Sequence, residues 1–170
     1  MESDLVSYLE PLHQDAFAWA RHCCGEEGGE AADVLQNAYL KVIEGRTSYS
    51  GKAALKTWWF GVIRFTAKEE QRRRRGREFL VLRWRQLDPG ENDGRSKHTS
   101  IAEREEEASQ LRAALGQLPA RQAEVLHLVF YQDLSLSEAA LVMRVSIGST
   151  RTHYERGKAR LRSLLAPPQE

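Results

Sequence analysis

The side chains of this sequence best suited to recognising another molecule are the arginines and hydroxyls near its C-terminus. They follow a short apolar stretch, Leu136 to Met143, and a bend at 144–146. A short helix, a tight bend and a longer helix form a helix-turn-helix, whose second helix enters the DNA major groove. Arg binds guanine or phosphate through two hydrogen bonds, and Ser and Thr donate to phosphate oxygens. The pattern therefore predicts a DNA-binding unit at 136–165.

Helical spacing divides the second helix of this unit into two sides. The inward side is expected to carry Ile147, Thr150, Tyr154, Gly157 and Leu161. The outward side offers the groups that could meet DNA, namely Ser149, Arg151, Thr152, His153, Glu155, Arg156 and Arg160. A helical hairpin with a solvated basic face is the alternative, because a basic helix after a turn is only moderately specific for DNA.

The net charge of +1 conceals a segregation of charge along the chain. Residues 2–30 hold seven acids and one Arg, residues 64–85 hold nine bases and three acids, and residues 144–162 hold six bases and one acid. Two basic blocks separated by less basic sequence indicate two surfaces for nucleic acid.

The apolar spacing predicts an all-α protein. A first helix of about five turns should contain Leu5 to Ala20, a second should begin near Glu30, and a third should start at 53–57 and extend towards Trp84, with Trp59 pointing inward. The stretch 86–100 is rich in Pro, Gly, Asn and Ser and reads as a flexible linker. Helices resume after it. The expected organisation is two small helical domains, 1–85 and 101–170, the second with the helix-turn-helix.

The ends of the terminal helices also carry signals. Ser135 or Ser137 is expected to cap the first helix of the pair, and Ser146 the second. Pro119 stands at the start of the helix before them, where its missing N–H does no harm.

Several classes of function lack support in the sequence. There is no Gly-rich phosphate loop, no supported Ser-His-Asp pattern and no predicted strand to carry either, so we do not expect an enzyme. His22, Cys23 and Cys24 are consecutive on a helix and cannot converge on one ion, so neither a metal nor another cofactor is expected. Without a leader, a membrane-spanning run or a plausible disulfide, the chain is expected to be cytoplasmic and not inserted in a membrane.

Both halves resemble the extracytoplasmic-function (ECF) sigma factors of bacterial RNA polymerase, in the sigma-70 family. "SIGSTRTHYERGKARL", with the sequence from Leu118 onwards, resembles their C-terminal promoter-binding domain. "AADVLQNAYLKVIEG" resembles their polymerase-binding helix, and "YSGKAALKTWWFGVIRFTAKEEQRRRRGR" resembles the helix and loop that open the downstream promoter element. The resemblance implies a transcription initiation factor that binds core RNA polymerase and promoter DNA, with an anti-sigma factor as a further partner.

The resemblance also implies roles for individual residues. Polymerase binding is implied for Asp33, Gln36, Asn37 and Lys41. In the first domain, a loop that holds a flipped −10 base is implied for Tyr49, Gly51, Lys52, Lys56, Thr57 and Trp58, and contact with the adjoining duplex for Arg64, Lys68, Arg72 and Arg73. Reading of the −35 element is implied for Ser149, Arg151, Thr152, Glu155, Arg156, Lys158 and Arg160.

Four positions depart from the family pattern: Asn37 replaces a common Glu, Phe65 a common Asn, His153 a common Arg, and Glu155 is an acid on a DNA-facing helix. Two rival functions remain at this point, a helix-turn-helix regulator and a sigma mimic that titrates an inhibitor without initiating transcription. The basic block at 64–77 favours a true promoter factor. The free protein is expected to be compact or inhibitor-bound, with these faces hidden.

Overall fold

The computed structural model describes residues 2–25, 30–85 and 104–166, and every regular element within these ranges is helical. The α-helices that it describes are α1 (Glu2–Leu9), α2 (His13–Cys24), α3 (Ala31–Ile43), α4 (Leu55–Arg85), α5 (Arg104–Gly116), α6 (Ala120–Phe130), α7 (Leu136–Met143) and α8 (Ile147–Leu165). The predicted all-α class is confirmed. The predicted linker at 86–100 lies outside the described residues.

A one-turn 3₁₀ helix at Glu10–Leu12 separates α1 from α2, so the prediction of a single first helix is wrong. Pro11 accounts for the break, because it has no N–H to donate and its ring collides with the carbonyl four residues earlier. Leu9 is completely buried at the break and holds the two segments to the core. The third predicted helix was expected to extend towards Trp84, and α4 confirms this extension.

Trp19 of α2 lies at the centre of the first half. Its side chain is completely buried, and its Nε1 donates to the Phe60 carbonyl at 3.0 Å. The two rings are also stacked, with centroids 6.0 Å apart. An indole N–H with a partner avoids the cost of burying an unpaired donor. Trp59 is completely buried as well, which confirms the prediction that it points inward.

The helices of the first half, α1–α4, pack against those of the second half, α5–α8. Helix α7 lies along α4, and α6 reaches α2. A single buried apolar cluster includes side chains of both halves. From the second half it takes Val125, Leu128, Leu134, Ala139, Val142 and Met143. Removing this apolar surface from water stabilises the joined arrangement, at roughly 25 cal/mol per Å².

Candidate nucleic-acid and polymerase interfaces

The helix-turn-helix consists of α7, a turn at 144–146, and α8. A capping box starts α7: Ser135 Oγ accepts from the Glu138 N–H at 3.2 Å, and the Ser135 N–H donates to the Glu138 carboxylate at 2.9 Å. Arg144 ends α7 in the left-handed conformation, with φ 54°. Ser146 then caps α8 by accepting the N–H three residues later at 3.1 Å. Of the two candidates for the first cap, Ser135 is the one used.

Two small residues seat α8 against the rest of the second half. Thr150 is completely buried, and its hydroxyl donates to the Ser146 carbonyl at 3.1 Å. Gly157 allows close approach of α6, since a Cβ there would lie 3.2 Å from both Gln122 Cβ and Leu126 Cδ1. The inward placement of Ile147 is wrong: its side chain is 38% exposed, and Thr150 takes the first buried position of the helix.

The side of α8 that faces solvent carries most of the side chains assigned to the −35 element. Exposed there are Ser149, Arg151, Thr152, Glu155, Arg156 and Arg160. The Thr152 hydroxyl already donates to the Gly148 carbonyl at 3.0 Å. The guanidinium groups are therefore the strongest donors that this face offers to bases and phosphates.

Lys158 and His153 are half-buried. The Lys158 ammonium lies 3.3 Å from a carboxylate oxygen of Glu155 and 4.5 Å from the centroid of the Tyr154 ring. Both contacts are within α8 and hold the cation close to the helix surface. Lys158 is thus less available to DNA than its sequence position suggests.

The loop before α4 is held by its aromatic residues. Tyr49 donates its hydroxyl to the Ala53 carbonyl at 2.7 Å, and its ring lies 5.3 Å from that of Trp58. Gly51 has φ 73°, a left-handed conformation that side chains rarely adopt. Lys52 is exposed beside it. The loop 49–53 and Trp58 of α4 thus present an aromatic wall, a glycine and a cation, which are parts suited to a single-stranded base.

Lys56 and Thr57, in the first turn of α4, make their contacts away from that loop. The Lys56 ammonium pairs with the Asp15 carboxylate at 2.8 Å and lies 5.5 Å from the Phe60 ring centroid. Thr57 is 2% exposed, and its hydroxyl donates to Glu138 of α7 at 3.3 Å. The expectation that both residues face a nucleotide is not met in this arrangement, because other parts of the protein already engage their polar groups.

Arg64 also departs from expectation. It is 5% exposed, and its guanidinium makes two hydrogen bonds to Glu124 of α6, one of them 3.2 Å from Nη2 to Oε2. A residue expected to face the promoter duplex therefore lies between the halves, because a carboxylate from the second half pairs with it. Glu124 is itself buried and also accepts from Arg121.

Farther along α4 the basic side is open. Lys68, Arg72 and Arg73 are exposed, as expected for residues that meet a duplex. Partial desolvation of the Lys68 ammonium by the groups around it, with a smaller contribution from the nearby Arg64 charge, lowers the pKa of Lys68 even though the residue is exposed. Arg73 pairs with Glu69 at 2.7 Å on the same helix.

Helix α3 presents two different faces. Asp33 and Gln36 are exposed, as expected for residues that bind a partner. Asn37 donates instead to Glu70 at 3.4 Å, and Lys41 donates to Glu69 at 2.5 Å. The hydrogen bond from Lys41 is the main reason that the pKa of Glu69 is lowered. Asn37 and Lys41 thus join α3 to α4 and are half-buried, so their implied contact with the polymerase stays a prediction.

Sequence reasoning missed two apolar residues on the outward face of α3. Leu40 is 41% exposed and Ile43 is 54% exposed. Together with Phe17 they line a shallow groove of about 390 Å³ that also includes Gln36. The signal was present in the sequence, because positions 33, 36, 40 and 43 recur at helical spacing and place Leu40 and Ile43 on the same side of α3 as Asp33.

The described residues contain no group of three or more metal-ligating side chains placed to hold an ion. In the part of the chain that the structure describes, no helix is long and apolar enough to cross a membrane. Cys23 and Cys24 are free thiols, and burial raises the pKa of both.

Two protein-family models match the chain in the order that this geometry implies. Residues 9–77 match sigma-70 region 2, which takes in α2, α3 and most of α4. Residues 108–161 match sigma-70 region 4, which takes in the helix-turn-helix. The chain belongs to the sigma-70 family. The sequence resemblance is confirmed, and the protein is a sigma factor that binds core RNA polymerase and directs promoter-specific transcription initiation.

Curated relatives place this sigma factor in the ECF group. The ECF RNA polymerase sigma factor SigX of Bacillus subtilis (strain 168) is 26% identical over 165 residues, which are 95% of this chain and 84% of SigX. The ECF RNA polymerase sigma factor EcfG of Rhodopseudomonas palustris (strain TIE-1) is 26% identical over 144 residues, 79% of this chain and 71% of EcfG.

Solved structures share the fold of this sigma factor. The sigma factor RpoE of Bartonella quintana, solved in complex with the anti-sigma factor NepR, matches with a TM-score of 0.70 and 24% identity over 95% of this chain and 96% of RpoE. CnrH, solved in complex with the cytosolic domain of CnrY, matches with a TM-score of 0.63 and 17% identity over 97% of this chain and 89% of CnrH.

The contacts between the two halves of this sigma factor were not predicted from its sequence. Glu124 belongs to no motif, Glu138 belongs only to the local capping box of α7, and Phe65 was noticed only as a departure from the family pattern. Phe65 is 49% exposed, and its ring centroid lies 5.0 Å from the Lys41 ammonium and 5.3 Å from the Arg144 guanidinium carbon. No sequence period connects residues so far apart in the chain.

Proposed function

We propose that this sigma factor reads the −35 element with α8 and captures the −10 element with the loop 49–53, Trp58 and the basic side of α4. The observation that carries the proposal is the outward face of α8, where Arg151, Arg156 and Arg160 are exposed on a capped helix-turn-helix. Arg donors on a helix that fits the major groove can reach guanine edges and phosphates. The basic residues of α4 add phosphate contacts that weaken with salt.

We propose that the outward face of α3 binds the polymerase. Asp33 and Gln36 supply polar contacts, and Leu40 and Ile43 supply apolar area beside them. An interface with an apolar centre and polar surroundings is the usual composition of a stable protein contact. Asn37 and Lys41 act indirectly, since they hold α3 against α4. Because the work of this protein is done on core polymerase, we place it in the cytoplasm.

The function is tested by transcription in vitro with core polymerase and a library of promoter sequences. We expect transcripts from templates that share an upstream motif, and loss of those transcripts when the motif is scrambled. DNA binding without transcripts would contradict initiation and favour a helix-turn-helix regulator. Polymerase binding without DNA binding would favour a sigma mimic.

We also propose an anti-sigma partner, as in the RpoE and CnrH complexes. A groove of about 1350 Å³ between the halves supports it, since Arg21, Lys68 and Arg121 lie beside Leu115 and Leu118 there. A groove with cationic and apolar walls suits an acidic amphipathic helix. Replacing Arg21 and Lys68 by Glu should abolish binding of a purified anti-sigma factor, and undiminished binding would contradict this placement.

A further inference from the structure

The N-terminal end of α8 exposes an apolar side chain. Ile147, the first residue of α8, is 38% exposed. It lies four residues before Arg151, so the two side chains are on the same side of the helix. In a helix-turn-helix, the N-terminal residues of the second helix are the ones that contact base edges. The exposed isoleucine therefore lies at the end of α8 where bases are read.

The polar side chains around Ile147 already have partners within α8 and its cap. The hydroxyls of Ser146 and Ser149 lie 2.9 Å apart, and the Ser149 N–H donates to Ser146 Oγ at 3.1 Å. The Thr152 hydroxyl donates to the Gly148 carbonyl at 3.0 Å. Gly148 adds no side chain, and a Cβ there would meet no atom closer than 3.9 Å. The first turn of α8 thus offers a base a mainly apolar contact.

The major groove contains one apolar group that such a contact can select, the C5 methyl of thymine. The other base edges present hydrogen-bond donors and acceptors. An isoleucine against one of these would displace water without replacing the hydrogen bond, which is unfavourable. Against the methyl it removes apolar surface from water, which is favourable. Branching at Cβ restricts χ1 of Ile147, so little side-chain freedom is lost in the contact.

We propose that Ile147 is a specificity-determining residue that selects thymine in the −35 element by contact with its C5 methyl. The inference rests on the proposed function, in which α8 lies in the major groove of that element. It adds apolar selection of one base to the polar reading by the arginines. The residue that makes this selection is one for which the sequence pattern predicted an inward position.

Deoxyuridine tests the contact, because it lacks only the C5 methyl of thymine. The upstream motif identified by transcription in vitro is placed in a fluorescein-labelled promoter duplex, and each thymine of the motif, on either strand, is replaced singly by deoxyuridine. Fluorescence anisotropy gives the Kd of the holoenzyme for each duplex. We expect replacement of at least one thymine to weaken binding of the wild-type holoenzyme by about fourfold, the loss of one buried methyl group.

The variant Ile147→Ala should weaken binding to the thymine duplex by a similar factor. It should then bind the thymine and deoxyuridine duplexes equally, because both changes remove the same contact and their effects are not additive. Leu165→Ala is the matched control. Leu165 is 44% exposed at the other end of α8, about 27 Å away along the helix axis, so this variant should keep the full preference for thymine.

Two results would overturn the assignment: a preference for thymine that Ile147→Ala retains in full, or a motif in which no replacement by deoxyuridine weakens binding. If Ile147→Ala does not fold, Ile147→Val must show a smaller preference than the wild type, and an equal preference would overturn it. Arg151→Ala separates this inference from the proposed function. Undiminished binding by that variant would count against α8 in the groove, whereas weaker binding without a preference for thymine would count against Ile147 alone.

Discussion

Two glycines of α8 lie nine residues apart and have different surroundings. A Cβ at Gly157 would be 3.2 Å from Gln122 and Leu126, whereas at Gly148 the nearest atom is Ser146 Oγ at 3.9 Å. We expect Gly157→Ala to lower the free energy of unfolding by about 1–3 kcal/mol, because α8 must move away from α6. Gly148→Ala should be neutral or stabilise by about 0.5–1 kcal/mol. Urea unfolding measures both, and equal effects would contradict the close packing.

Arginine substitutions on α8 test direct reading of the promoter. We expect Arg151→Ala and Arg156→Ala each to weaken binding to a −35 element by about 1–3 kcal/mol, because each removes donors to base edges or phosphates. Lys158→Ala is the comparison, and its effect should be smaller because Glu155 and Tyr154 already engage the ammonium. Fluorescence anisotropy on promoter DNA gives the affinities. A larger loss for Lys158→Ala would reverse the assignment.

Single residues show where sequence reasoning succeeds and where it stops. The caps at Ser135 and Ser146 and the buried Trp59 were predictable, because local spacing and cap chemistry determine them. The partner of Arg64 was not predictable, since Glu124 is sixty residues away along the chain. A long-range carboxylate changes the environment of an arginine without leaving a local signal.

At the scale of one helix, the start of α7 depends on Ser135. We expect Ser135→Ala to lower the free energy of unfolding by about 1 kcal/mol, because the Glu138 N–H loses its acceptor and the Glu138 carboxylate loses a donor. Ser137, which is exposed within α7, is the control, and Ser137→Ala should change stability little. Thermal unfolding followed by circular dichroism distinguishes the two. A larger effect at Ser137 would assign the cap to it.

The two faces of α3 should respond differently to substitution. We expect Asp33→Arg and Leu40→Glu to abolish co-elution with core polymerase while the protein remains folded, because both side chains are exposed on the outward face. Lys41→Met should instead reduce stability, because Glu69 loses a hydrogen bond and one of its two counter-charges, the other being Arg73. Gel filtration with core polymerase and urea unfolding separate the two effects. Normal co-elution of both outward variants would contradict the proposed interface.

Helix bounds were mostly readable from the sequence, and helix contacts were not. Apolar spacing predicted where α3, α4, α7 and α8 lie, because a helix must bury one side. The break at Pro11 could have been found from the proline alone. Which face of α4 meets α7 follows from the packing of the whole chain, and that is why Thr57 was assigned to DNA while it is buried against Glu138.

At the scale of the whole molecule, the packing of the two halves against each other, which is called closure below, should depend on pH. Burial lowers the pKa of His127 from 6.5 to about 3, with a smaller effect of His22, and burial also lowers the pKa of His22 although Glu124 opposes it. Histidines with lowered pKa values bind fewer protons in the closed form. Closure is therefore fully stable above about pH 6.5 and is weakened as pH falls, by about 2 kcal/mol for His127 at about pH 5.

We expect the radius of gyration to grow between about pH 7 and about pH 5. The variant His127→Phe keeps an aromatic ring for stacking but removes the titrating group, so it should expand less. His153→Gln is the control, because His153 lies on α8 away from these contacts, and it should behave like the wild type. A pH response unchanged by His127→Phe would contradict the role of this residue.

The shared core has a consequence for how tightly the polymerase holds this protein. Separating the halves exposes Val125, Leu128, Val142 and Met143 to water, which is unfavourable. Molecules whose halves are separated are then a minor fraction, and if the polymerase binds only these, the association constant measured for the polymerase equals the intrinsic one multiplied by that fraction. Substitutions that weaken the contact between the two halves, at residues that do not touch the polymerase, should therefore raise the measured affinity for the polymerase.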